Sequence, residues 1–167
     1  MFLQHSALKS KTYTLAFSGQ ILQRGFWLYI WEATTKSGKS YLYVGRTGDS
    51  SSQNAQSPFN RMGQHLGSAP NSSMLRKHLV KSGIDPLKCH LRLVSHGPIY
   101  QEHKNETIHF ARRDKMAALE KALAESMTAV GYNVLNTVRS RHAYDSKMLK
   151  SIISEFAGNF PRLKGLG

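Results

Sequence analysis

Two short runs constrain this chain more than anything else in it. "GFWLYIWEA", residues 25–33, and "YLYVG", residues 41–45, are dense in aromatic and β-branched residues. The "TTKSGKS" between them supplies turn chemistry around Gly38, so the two runs are expected to form an antiparallel hairpin. Strand periodicity is two. Phe26, Leu28 and Ile30 therefore share a face with Leu42 and Val44, while Trp27, Tyr29 and Trp31 share the other with Tyr41, Tyr43 and Gly45. Tyr29 and Tyr43 project together from the face that is not purely aliphatic. Two phenols placed so are either cross-strand packing with hydroxyls in water or part of a site.

The rest of the chain supplies helices and one more strand. "SPFNRMGQHL" reads as a helix start, with Ser57 as cap, Pro58 at the first position and Phe59, Met62 and Leu66 at helical spacing. "SMLRKHLVKSG" is a second helix ending near Gly83. "CHLRLVSHGPIY" alternates as a strand, and Cys89 within it reads as a small buried hydrophobe. "RRDKMAALEKALAESMTAVG" is a long helix, with Asp114 as its expected cap and Gly131 as its end. "YNVLNTV" is a short extended piece, and "YDSKMLKSIISEFAG" an amphipathic helix expected to pack on the sheet. "TYTLAFSGQIL" reads as a short N-terminal strand and turn. The fold class is α/β: a small mixed or antiparallel three-stranded sheet flanked by helices, with an N-terminal strand and a C-terminal helix as extensions. The expected division is an N-terminal extension over 1–24, a core domain over 25–136 and a basic helical extension over 137–167.

Charge narrows the function. The 167 residues include 23 Lys+Arg against 10 Asp+Glu, a formal +13, which points to a polyanionic partner. A membrane surface is the weaker reading, since there is neither a long apolar run nor a lipidation signal. One cysteine excludes a disulfide framework within the chain and a multi-thiolate zinc site. The N-terminus lacks the pattern of a secretory signal, so an intracellular, cytoplasmic protein is expected.

Two helices carry residues that could do chemistry. Arg61 and His65 are four apart, one turn above each other on the first helix. A guanidinium can grip a phosphate in two places and an imidazole can move a proton near neutral pH, although a solvated helix face reads the same way. On the long helix, Leu119, Leu123, Met127 and Val130 form one stripe. Glu125 lies opposite it, in solvent, while Glu120 lies at its buried edge. A carboxylate there needs a partner, and a divalent cation or an arginine would serve.

Taken in order, "WLYIW", "YLYVG", "FNRMGQHL" and "ALEKALAESMTAVGYNVLN" resemble the GIY-YIG nuclease superfamily over about residues 27–136. Trp27-Leu28-Tyr29 keeps only the tyrosine of the family's first motif, whereas Tyr43-Val44-Gly45 is close to the second. The resemblance implies a metal-dependent DNA endonuclease of restriction, mobile-element or repair type. It makes Tyr29 the general base and Tyr43 its neighbour orienting water or phosphate. Arg61 would hold the scissile phosphate, and His65 would support a tyrosine hydroxyl or share its proton. Glu120 would bind one Mg²⁺ or Mn²⁺, and Asn133, with Asn136 as the alternative, would fix the site. Arg46 follows the glycine where many members carry a cation.

The chemistry is coherent with that set. Phosphodiester hydrolysis needs an activated water and charge stabilisation at the phosphoryl and leaving oxygens. Arg46 and Arg61 are expected to lower the pKa of a phenol that is otherwise a poor base. Lys39, Arg46, Arg61, Arg139 and Arg141 are the expected nucleic-acid contacts, with double-stranded DNA the favoured partner. The oligomeric state stays open, a dimer among the options. The main alternative is a non-catalytic nucleic-acid-binding module of the same fold. A ββα histidine–metal nuclease and a basic ribosomal or nucleoid protein fit the histidine spacing and the aromatic hairpin less well.

Overall fold

The computed structural model describes residues 10–50, 52, 54–68 and 73–166. The two aromatic runs are strands β1 (Phe26–Thr34) and β2 (Ser40–Arg46), and the later alternating run is β3 (His90–Tyr100). All three are antiparallel, in the order β2-β1-β3. The register is the one that period two requires, with Ile30 opposite Val44, Trp31 opposite Tyr43 and Tyr29 opposite Gly45. A piece of residues 133–136 runs parallel along the outer edge of β2. Asn133 O accepts from Leu42 N at 2.8 Å, and Leu135 N donates to Leu42 O at 2.7 Å. The three-stranded sheet itself is antiparallel, one of the two forms expected, and this parallel contact is an isolated bridge at its edge.

Both faces of β1 are covered because both are apolar. Leu28, Ile30, Leu42 and Val44 pack against helix α3 (Glu106–Ala129) and helix α4 (Ser146–Ala157), through Met116, Leu119, Leu123, Ile152, Ile153 and Phe156. Tyr29, Trp31 and Tyr43 pack under helix α1 (Pro58–Leu66) and helix α2 (Met74–Lys81), against Met62, Leu66, Leu75 and Leu79. The C-terminal amphipathic helix thus spends its apolar side on the sheet.

Three expectations are corrected. Among the described residues no strand forms before residue 26. Residues 10–18 carry no regular structure, and a 3₁₀ turn at Gly19–Leu22 is capped by Ser18. "TYTLAF" alternates as a strand does, but Tyr13 and Leu15 stay exposed, and Phe17 meets only the ring of Phe59, 5.1 Å away. Helix α3 starts two turns before Asp114. Asn105 caps it, its Oδ1 accepting from Ile108 N at 3.2 Å, and Asp114 lies inside beside Arg113 at 3.1 Å. The extra turns carry His109, fully buried against Phe26, which the polar look of "ETIHFARR" conceals. Cys89 is half-buried, not buried, and is a free thiol.

Candidate functional site

The site is built where β1 and β2 run beneath α1. Tyr29 sits in the central strand, opposite Gly45, and its ring lies across that glycine. A Cβ at Gly45 would collide with the ring edge and hydroxyl of Tyr29. That is why glycine stands next to last in β2: the residue supplies absent volume beneath a phenol. Beyond it, Thr47 is fully buried, accepts from Trp27 N at 2.8 Å and donates to Gly25 O at 2.5 Å. This clasps the exit of β2 to the entry of β1. The chain then turns at Gly48, whose φ of +73° suits glycine, and delivers Asp49 to the site.

Helix α1 begins as its sequence dictates, with Ser57 Oγ accepting from Asn60 N at 3.3 Å and Pro58 in the first turn. Its most buried side chains are Pro58 and His65 rather than its larger apolar ones. Phe59, Met62 and Leu66 are half-buried, while His65 is only 2% exposed. A polar ring takes the deepest position because a partner waits there. Its Nε2 lies 2.6 Å from the Tyr29 hydroxyl, and its ring packs 5.0 Å from that of Tyr43. His65 Nδ1 has no hydrogen-bond partner among the described residues. Arg61, one turn before, donates through Nη2 to Asp49 Oδ2 at 2.6 Å and through Nη1 to Gln64 Oε1 at 3.0 Å.

Glu120 enters from α3. Its carboxylate accepts from Arg46 Nη1 at 2.9 Å, with the two side chains only 12% and 16% exposed. Of the two partners its position called for, the described residues supply the arginine. Glu125 faces solvent and pairs with Lys121.

Electrostatics follow burial. Burial raises the Tyr29 hydroxyl well above its ordinary value, against the pull of Arg61, and pushes Tyr43 up to about 12, with Glu120 adding to the rise. The expectation that nearby arginines lower the phenols is thus reversed. Desolvation outweighs them, and their charge is already divided among Asp49 and Glu120. Burial, with Arg61 beside it, takes His65 down to about 4, so its ring is neutral at neutral pH. Burial lifts the Glu120 carboxyl to about 7 against the opposing pull of Arg46, with Asp49 adding to the rise.

Tyr29, Tyr43, Arg46, Arg61, His65 and Glu120 therefore meet in one place. Asn133 does not join them. Its side chain donates to Ser40 O at 3.1 Å, at the other end of β2. Asn136 is the nearer asparagine and holds both backbone groups of Val44, at 3.0 and 2.7 Å. Lys39 stacks over Tyr41 at the hairpin turn, away from the tyrosine pair. Arg139 and Arg141 lie with Arg46, Lys121 and His142 along a groove of about 740 Å³ between α3 and residues 137–142.

Two residues enter that sequence reasoning passed over. Asp49, the sole acid in the serine-rich loop, is the partner of Arg61, and the scarcity of acids in the chain was the available signal. His78 of α2 lies 5.7 Å from the Tyr43 ring, and nothing in the "RKHLVK" pattern marked it. The metal question rests on Glu120. Among the described residues no three His, Cys, Asp or Glu side chains gather as an ion cage. One buried carboxylate, reached through the Arg46 that lines the groove, still fits Mg²⁺, which takes one or two carboxylates and completes its shell with water and substrate oxygens.

No family model matches the chain, no curated protein matches it, and no solved structure matches it.

Proposed function

We propose that this chain hydrolyses phosphodiester bonds in DNA, with Tyr29 as the group that receives the proton of the attacking water. The observation that carries the reading is the buried 2.6 Å contact between the Tyr29 hydroxyl and Nε2 of a neutral His65. A phenol held above its ordinary pKa is not a standing phenolate at neutral pH, so it works as a relay. As its oxygen takes a proton from water, its own proton crosses to Nε2, and the water oxygen attacks phosphorus. The P–O bond to the leaving oxygen breaks, and that oxygen takes a proton from solvent. His65, left as imidazolium with both nitrogens closed off from solvent, returns its proton through the Tyr29 oxygen as the product leaves. This direction requires the resting His65 proton on Nδ1, the nitrogen with no competing partner.

Arg61 faces the relay and would grip phosphoryl oxygens with its fork once Asp49 yields one edge of it. Glu120 is the residue to hold Mg²⁺ or Mn²⁺, which when bound neutralises charge at the leaving oxygen. The groove from Arg46 to Arg139 and Arg141 is the path for the nucleic-acid backbone. An intracellular setting goes with that substrate. Among the described residues no helix is long and apolar enough to cross a membrane.

A second reading, a non-catalytic nucleic-acid-binding module, is favoured by one observation: both site arginines are already paired with carboxylates. Incubating the protein with supercoiled plasmid and with single-stranded DNA, with and without Mg²⁺ or Mn²⁺, decides between them. Metal-dependent cutting that Tyr29→Phe abolishes supports the nuclease. Binding without cutting under every condition leaves the module.

A further inference from the structure

Arg46 has two addresses. Its Nη1 is held by Glu120, while its Nε is buried with no hydrogen-bond partner among the described residues. The same side chain lines the groove in which Lys121, Arg139 and Arg141 outnumber two acids, Asp114 and Glu125. A guanidinium with one edge on a carboxylate and an unsatisfied buried nitrogen beside a basic groove is poised for a second acceptor, and the chemistry that fits is a phosphate oxygen. Glu120, for its part, is nearly closed from solvent, so the oxygen that holds Arg46 is not free for another cation. Neither partner can leave alone, since each would stay behind as an uncompensated buried charge. Both can leave together if an anion meets the arginine and a cation meets the carboxylate.

Resting on the nuclease reading above, we propose that Arg46 is a positioning residue that couples metal and nucleic-acid binding. In the free protein it is the counterion of Glu120. When a strand enters the groove, its backbone phosphate draws Arg46 away and opens the Glu120 carboxylate to a divalent cation. Coupling of this kind is reciprocal: whatever factor the strand adds to cation affinity, the cation adds to strand affinity. The free protein then carries little bound metal, and the site is completed only on its substrate.

The test is a Mn²⁺ titration followed by electron paramagnetic resonance, in a Tyr29→Phe background that binds without cutting. It is run with and without a short DNA duplex, and Glu120→Gln in that background subtracts Mn²⁺ held by DNA alone. The expected result is Glu120-dependent Mn²⁺ affinity that rises about tenfold with duplex, with duplex affinity rising by the same factor with Mn²⁺. Arg46→Met should bind Mn²⁺ tightly without duplex and lose the coupling. Arg46→Lys, which keeps a cation, should retain part of it, and melting curves confirm that each variant is folded. Should Arg46→Met not fold, Arg46→Lys and Arg46→Gln carry the comparison. An unchanged coupling factor in the Arg46 variants, or Mn²⁺ binding in the parent that ignores duplex, overturns the coupling and leaves the nuclease reading standing. Mn²⁺ binding that ignores Glu120→Gln throughout overturns the metal site itself.

Discussion

Gly45 shows how little room the site leaves. Because the Tyr29 ring lies where its Cβ would be, Gly45→Ala must push the phenol aside or bend β2. The stability cost is about 1–3 kcal/mol, the usual range for overpacking. The larger effect is on geometry, since a misplacement of about 1 Å in a catalytic group can lower rate about 100-fold. Single-turnover cleavage and urea melts measure the two separately, and full activity in Gly45→Ala would remove Tyr29 from the chemistry. Tyr29→Phe keeps the ring over Gly45 and deletes only the hydroxyl. Its expected signature is loss of cleavage by about 10²- to 10⁴-fold with the fold intact, read by circular dichroism beside the same assay. The glycine's place near the strand end was visible in "YLYVG". Its reason was not, because the colliding ring comes from another strand and is set by register.

At the scale of elements, the sheet is stapled from outside by side chains standing in for a strand. Asn136 gives and receives one hydrogen bond at Val44, just as a neighbouring strand residue would. Asn136→Ala strips both and exposes the edge of β2 next to Tyr43 and Gly45. A loss of about 1–3 kcal/mol is expected. Hydrogen exchange would place that loss locally, with the Val44 amide losing protection and the amides of α4 unchanged. Periodicity carried most of the architecture: the two faces of the hairpin, the Ser57 and Pro58 start of α1, and the buried edge that Glu120 occupies. It failed where a partner distant in sequence decides the outcome. "TYTLAF" has strand alternation but stays exposed, and Asn105 rather than Asp114 caps α3. His65 is buried on a helix whose larger apolar residues are not. Asp49 could be seen as an acid, but its arginine became evident only once the turn at Gly48 was known.

For the molecule as a whole, two buried groups pull stability in opposite directions as pH changes. His65 falls from 6.5 to about 4 on folding, so the native state prefers it neutral. Its contribution is present above about pH 6.5 and is lost as pH falls toward 4, on the order of 3 kcal/mol. Glu120 rises from 4.5 to about 7, so its protonated form is favoured in the native state, and the stability it contributes at low pH is lost as pH rises through about 7. Between about pH 4.5 and 6.5 the two nearly offset each other, and the wild-type unfolding free energy is expected to be flat. Chemical denaturation across that range checks it. His65→Gln should lose stability with rising pH, Glu120→Gln should gain it, and parallel curves for both variants would refute the assignment. The net charge of +13 makes salt a second whole-molecule variable. If Arg139 and Arg141 track the backbone, replacing both with alanine lowers the salt slope of DNA binding by about 2, measured by anisotropy across ionic strengths. An unchanged slope would move the nucleic acid off that groove.

The placement of Tyr29 has one more consequence. It stands in β1, which is paired on both sides, covered on both faces and clasped to the exit of β2 by Thr47. Strands so enclosed open only when the whole domain opens, while peripheral segments fray freely. Heat or denaturant will therefore not produce a half-working intermediate by loosening Tyr29, the proposed proton acceptor. Activity and the core fluorescence of Trp27 and Trp31 should vanish at one midpoint, and the residual activity of a stressed sample will count intact molecules.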